Sequence, residues 1–105
     1  MNELQNLSTE YLFEKLLPSS MNVDGEIYHF KMIKGSNGYI INYENDHNIQ
    51  LGEAHRSDAT LRRTVEGMIF WLKLRGYTRY MPYDYRKRYE RIFNIYIPNP
   101  RVIST

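Results

Sequence analysis

Two hydrophobic periods divide this chain. Between Glu26 and Glu44 the apolar side chains recur every second residue, and between Leu61 and Leu72 every third or fourth. A period of two marks a strand with one covered face; a period near 3.6 marks a helix with one buried stripe. A chain of 105 residues carrying both, with no long spacer between them, has room for one core. The helix stripe must therefore pack on the sheet. The expected fold is α+β: an N-terminal helix, a three- or four-stranded antiparallel sheet, a long helix over 57–75 on one sheet face, and a basic, tyrosine-rich C-terminal helix or strand.

The whole chain, 1–105, reads as a single domain. Over 8–17 a short helix is expected, capped by Ser8, with Leu7 and Leu12 at hydrophobic-staple spacing. Leu12, Phe13, Leu16 and Leu17 supply its apolar face, and Pro18-Ser19-Ser20 ends it. An antiparallel meander follows over 26–55. Tyr28, Phe30 and Met32 share one side of its first strand, with Ile27, His29, Lys31 and Ile33 on the other. Gly35-Ser36-Asn37-Gly38 is a turn, Tyr39 to Glu44 a second strand, Glu44 to Asn48 a reversal, and Ile49 to His55 a shorter third strand.

Ser57 is the expected cap of the long helix and Gly76 its left-handed stop, with Leu61, Val65, Met68, Ile69 and Leu72 as the buried stripe. The segment 76–98 is basic and aromatic. Pro82 to Arg91 reads as a third helix, while Phe93, Ile95 and Ile97 alternate, so helix followed by a fourth strand is expected there. Pro98 and Pro100 release the tail over 99–105.

There is no cysteine, which removes disulfides, thiolate zinc sites and a cysteine nucleophile. The longest apolar run, Met68 to Leu72, is far short of the ~20 residues that cross a bilayer, and residues 1–6 lack the basic flank and apolar run of a signal peptide. No membrane partner and a cytoplasmic location are expected. Glu53 and His55 share one side of the expected third strand, and His29 could join them, the donor set of a zinc site or a general base. No His-x-x-x-His or Gly-x-Ser-x-Gly motif accompanies them, so neither enzyme, metal nor cofactor is expected.

Charge is the better lead. The net charge of +2 conceals −5 over residues 1–55 and +7 over 56–105. From Arg75 to Arg91 six basic residues interleave with five tyrosines. Arginine and lysine neutralise phosphates, and a tyrosine ring offers a face to a base. The expected function is that of a small non-enzymatic binding protein contacting nucleic acid or a nucleoprotein machine. Arg75, Tyr77, Arg79, Tyr80, Tyr83, Arg86, Lys87, Arg88 and Arg91 are the candidate contacts. The alternative is a protein inhibitor or adaptor that meets a basic partner through its acidic hairpin, using Glu44, Asp46 and Glu53. Beside the buried stripe, Phe70, Trp71 and Leu74 outline a second apolar groove around Gly67, a face for a homodimer or partner unless the C-terminal segment fills it.

Two resemblances bear on this. The order helix–strand–strand–strand–helix resembles the double-stranded RNA-binding domain, a family that uses a lysine-rich cluster at the start of its second helix; Ser57-Asp58-Ala59-Thr60-Leu61-Arg62-Arg63 stands at that place here. The passage from Leu51 to Leu61 is similar to the strand–turn–helix of HicB-type antitoxins and of small phage and mobile-element proteins. Both resemblances imply a binding role without catalysis.

Overall fold

A computed structural model describes residues 6–52, 55–56 and 60–96. Helix α1 (Thr9–Leu16) leads into four strands, β1 (Ser20–Val23), β2 (Glu26–Gly35), β3 (Gly38–Glu44) and the two-residue β4 (His55–Arg56); α2 (Leu61–Leu74), a 3-10 turn (Tyr77–Tyr80) and α3 (Tyr83–Tyr96) follow. The strands form one antiparallel sheet in sequence order. The α+β architecture expected from the two periods is thus present, with the helices packed on one sheet face.

Register decides which residues meet the helices. Cross-strand partners project to the same side of a sheet, so Met21–Tyr28, Phe30–Tyr43 and Met32–Ile41 share one face. There Phe30 meets Phe13 of α1 edge-on at 6.0 Å and Tyr43 at 5.7 Å. Val65, Met68, Ile69 and Leu72 of α2 join Leu12, Leu16, Ile41, Tyr89 and Phe93 in the core. The opposite face carries Ile27, His29, Lys31 and Ile33, all exposed.

Each reversal has a local cause. Asp24 and Gly25 hold φ of 55° and 92°, the positive pair of a two-residue hairpin turn, and the Gly25 N–H donates to Asn22 Oδ1 at 2.8 Å. Gly35 pairs with Gly38 around Ser36-Asn37. Buried Asn45 organises the next reversal: its Oδ1 accepts the N–H groups of His47 and Ile49, each at 2.9 Å.

Helix α1 has only eight residues, too few for stability on its own. Ser8 caps its first turn, accepting from the Tyr11 N–H at 3.0 Å. Its other end leaves carbonyls without intrahelical partners. Tyrosine hydroxyls from distant elements fill that need: Tyr85 donates to Glu14 O at 3.1 Å, Tyr89 to Leu16 O at 2.7 Å, and Tyr43 to Pro18 O just beyond at 2.6 Å. Arg62 of α2 holds the opposite end by donating to Leu7 O, while pairing with Glu66 at 2.9 Å.

Four expectations are corrected. Between the first helix and the meander, where no strand was expected, lies β1, joined to β2 through the turn at Asp24-Gly25. Of the third strand over Ile49–His55 the described residues show a bridge between Gln50 and Glu44 and the start of β4, with 51–52 outside any strand; residues 53–54 lie outside the described region. The long helix starts at Leu61, capped by Thr60, whose Oγ1 accepts from the Arg63 N–H at 3.1 Å; Ser57 lies outside the described residues. Residues 92–96 continue α3 where a strand was expected, since Tyr89, Ile92 and Phe93 bury together at helical spacing; residues 97–105, the tail included, are outside the description.

Burial pushes the Tyr43 and Tyr89 phenols well above the usual tyrosine range, the effect on each reinforced by a neighbouring tyrosine. Both hydroxyls therefore stay protonated donors. In the unfolded chain they ionise near pH 10. Their stabilisation is complete below that pH and falls as pH rises above it, each withheld proton steepening the loss by about 1.4 kcal/mol per pH unit. In a spectroscopic alkaline titration, the last tyrosines to ionise should do so together with loss of the helical circular-dichroism signal. Tyr89→Phe should cost about 1–3 kcal/mol in urea unfolding, because Leu16 O is left buried and unpaired.

Candidate nucleic-acid interface

The basic segment begins where α2 stops. Gly76, at φ 79°, turns the chain out of the helix, the 3-10 turn follows, and Pro82 precedes α3. This short path places Arg75, Arg79 and Arg86 on three successive elements or their ends. Five cations lie over aromatic rings: Arg75 over Trp71 at 5.8 Å, Arg79 over Tyr80 at 4.9 Å, Arg86 and Lys87 over Tyr83 at 5.6 and 5.8 Å, and Arg88 over Tyr85 at 4.9 Å. Such contacts hold a guanidinium at the surface without neutralising it.

The tyrosines divide by what their hydroxyls do. Tyr85 and Tyr89 are bound to α1 and belong to the scaffold. Tyr77 is also structural: its hydroxyl donates to Leu51 O at 2.9 Å and its ring lies 5.5 Å from Trp71. Tyr80 is partly buried, 6.3 Å from Tyr77, and its hydroxyl accepts from Arg79 at 3.1 Å. Tyr83 opens α3, is 63% exposed and, among the described residues, has no hydrogen-bond partner for its hydroxyl. Of the three rings singled out in the sequence, Tyr77 supports the surface and Tyr80 and Tyr83 form part of it.

Charge is left over on this surface. Among the described residues, no carboxylate comes within 4 Å of Arg75, Arg79, Arg86, Arg88 or Arg91. Arg88 donates only to the Asp84 carbonyl at 3.2 Å. Lys87 differs: it is bonded to Glu90 at 3.0 Å, and that hydrogen bond and charge hold its ammonium pKa above the ordinary lysine value.

The remaining candidates separate. Glu44 is 12% exposed and paired with Lys31 at 3.0 Å. Asp46 is 87% exposed, 3.7 Å from His29, and Glu53 lies outside the described residues. The acidic hairpin thus presents Asp46 while Glu44 is committed internally. His55 is level with Ile41 and His29 with Glu44, three positions apart along the sheet. Among the described residues no three His, Asp or Glu side chains converge as metal ligands. Phe70 meets Phe93 edge-on at 5.3 Å and Trp71 meets Tyr77, so rings of the same chain occupy that groove, leaving Leu74 82% exposed.

Trp71 is not among the candidate contacts read from the sequence, where it flanks a groove open to a partner or to the C-terminal segment; that segment meets it, within the ladder Arg75–Trp71–Tyr77–Tyr80–Arg79. The spacing of Trp71 and Arg75, four apart on a helix, carried the signal. Gly52 closes the ladder from below, where an added Cβ would lie 3.2 Å from the indole Cζ2; nothing local in the sequence announces that contact. No helix of the described residues is long and apolar enough to cross a membrane.

Because Arg79, Arg86 and Arg91 hold no ion pair among the described residues, replacing each by glutamine should change the unfolding free energy by less than about 0.5 kcal/mol. Equilibrium denaturation of the three variants measures this, and a larger loss would mean that the arginines serve the scaffold. Comparison with family models, curated proteins and solved structures returned no match for this chain.

Proposed function

We propose that this protein is a small non-enzymatic binding protein whose basic, tyrosine-rich C-terminal half contacts nucleic acid, free or within a nucleoprotein assembly. The observation that carries the reading is the set of five arginines between Arg75 and Arg91 that no described carboxylate neutralises. Leaving like charges close together costs energy in the free protein, and a polyanion relieves that cost while releasing its condensed counterions. The rings beneath the cations limit the side-chain freedom lost on binding. Two acidic residues have the opposite fate, Glu44 being paired with Lys31 and Glu66 with Arg62.

The test is a binding series over salt concentration with DNA and RNA probes. The logarithm of the affinity should fall linearly with the logarithm of salt, and Arg79→Gln or Arg86→Gln should lower the slope by roughly 0.7–0.9 each, the contribution of one phosphate contact. Absence of binding to any nucleic acid at low salt would reject the proposal.

A further inference from the structure

Resting on the reading above, we infer that the ligand of this surface is single-stranded nucleic acid, and that one of its bases stacks on Tyr83. The argument starts from the outermost ridge of α3. Among residues 83–93 its exposed side chains are Tyr83, Asp84, Lys87, Glu90 and Arg91. A helix laid into a duplex groove brings such a ridge closest to the phosphates and base edges. Asp84 and Glu90 would then face the phosphate backbone, and Lys87 already answers Glu90. The ridge as a whole carries no net charge, so α3 is poorly suited to enter a groove.

The flank shared with the 3-10 turn is different. Arg79 over Tyr80 and Arg86 over Tyr83 make two ring–cation units close in sequence, and neither arginine has a described carboxylate partner. A chain with splayed bases needs this combination: cations for its phosphates and ring faces for its bases. In a duplex the base faces are covered by their neighbours, and an exposed tyrosine ring gains nothing. Tyr83 is 63% exposed, and the cations near it lie 5.6 and 5.8 Å from the ring centre, close to the ~6 Å limit of such contacts, so a base displaces little. Tyr83 therefore acts as a stacking platform, with Arg86 beside it for a phosphate and Tyr80–Arg79 for the next nucleotide.

The experiment is fluorescence anisotropy with labelled oligothymidine, oligouridine, a duplex of equal length, and inorganic polyphosphate as a polyanion without bases. One or both single strands should bind more tightly than the duplex. Tyr83→Ala should weaken single-strand binding about five-fold or more, and Tyr83→Phe should restore it, since stacking needs the ring and not the hydroxyl. Polyphosphate affinity should be the same in all three proteins, because the cations are intact. Circular dichroism of the alanine variant should match the parent protein, as the ring is mostly exposed. Duplex binding equal to or tighter than single-strand binding, or single-strand affinity unchanged in a folded Tyr83→Ala protein, would overturn the inference while leaving nucleic-acid binding in place. Failure of every nucleic-acid probe would overturn both.

Discussion

The rest of the structure depends on three phenolic hydroxyls that close the end of a helix too short to hold itself. The Leu16 and Pro18 carbonyls at the end of α1 are buried, where water cannot serve them, and an unpaired buried carbonyl costs about as much as a lost hydrogen bond; the Glu14 carbonyl beside them lies at the surface. Tyr43, Tyr85 and Tyr89 bring donors to that end from β3 and α3. The same residues fill space: the Tyr43 ring packs on Phe30, and the Tyr89 ring stacks on Phe93 at 5.7 Å. Sheet, first helix and last helix are therefore joined through side chains that are apolar along their length and polar at the tip. With Arg62 at the other end, α1 is fastened at both termini by elements distant in sequence.

This use of tyrosine explains how one residue type serves two purposes in the same segment. On α3, positions 85 and 89 face α1 and deliver their hydroxyls to its carbonyls, Tyr89 in the interior and Tyr85 at the edge, whereas position 83 begins the helix and turns to solvent. The arginines follow the division. Those over Tyr80 and Tyr83 stand at the surface, and Arg88 lies across the outer side of Tyr85, whose hydroxyl is already used. A scaffold of buried phenols thus carries an outer layer of cations, and the two share a backbone without sharing a role.

Much of the architecture was legible because it rests on period and punctuation. The stripe Leu61–Leu72, the alternation through β2 and β3, the Ser8 cap and the Gly76 stop are local signals, and each corresponds to the observed element. The misreadings came where local signals compete or tertiary contacts choose. Thr60 and Ser57 are both good caps on sequence grounds, and the helix begins after Thr60. Phe93 and Ile95 fit a strand or a helix equally until Phe70 and Tyr89 are seen packed on Phe93. At the candidate interface, the excess of positive charge was visible residue by residue, but the sorting of tyrosines was not. Whether a phenol donates to a carbonyl seventy residues away leaves no trace in its neighbours.

The span of those bonds has a bearing on how the molecule is made. Tyr85 and Tyr89 meet carbonyls 71 and 73 residues earlier in the chain. During synthesis α1 precedes α3, so the Glu14 and Leu16 carbonyls have no phenol to receive until the residues of α3 have been added, whereas Tyr43 of β3 can reach the Pro18 carbonyl before then. Such long closures are won late, because the loop entropy must be spent before the contact returns anything. The junction between the first and last helices of the described fold therefore closes late, after the hairpins and the contacts of α2 with α1 and β3 have become available.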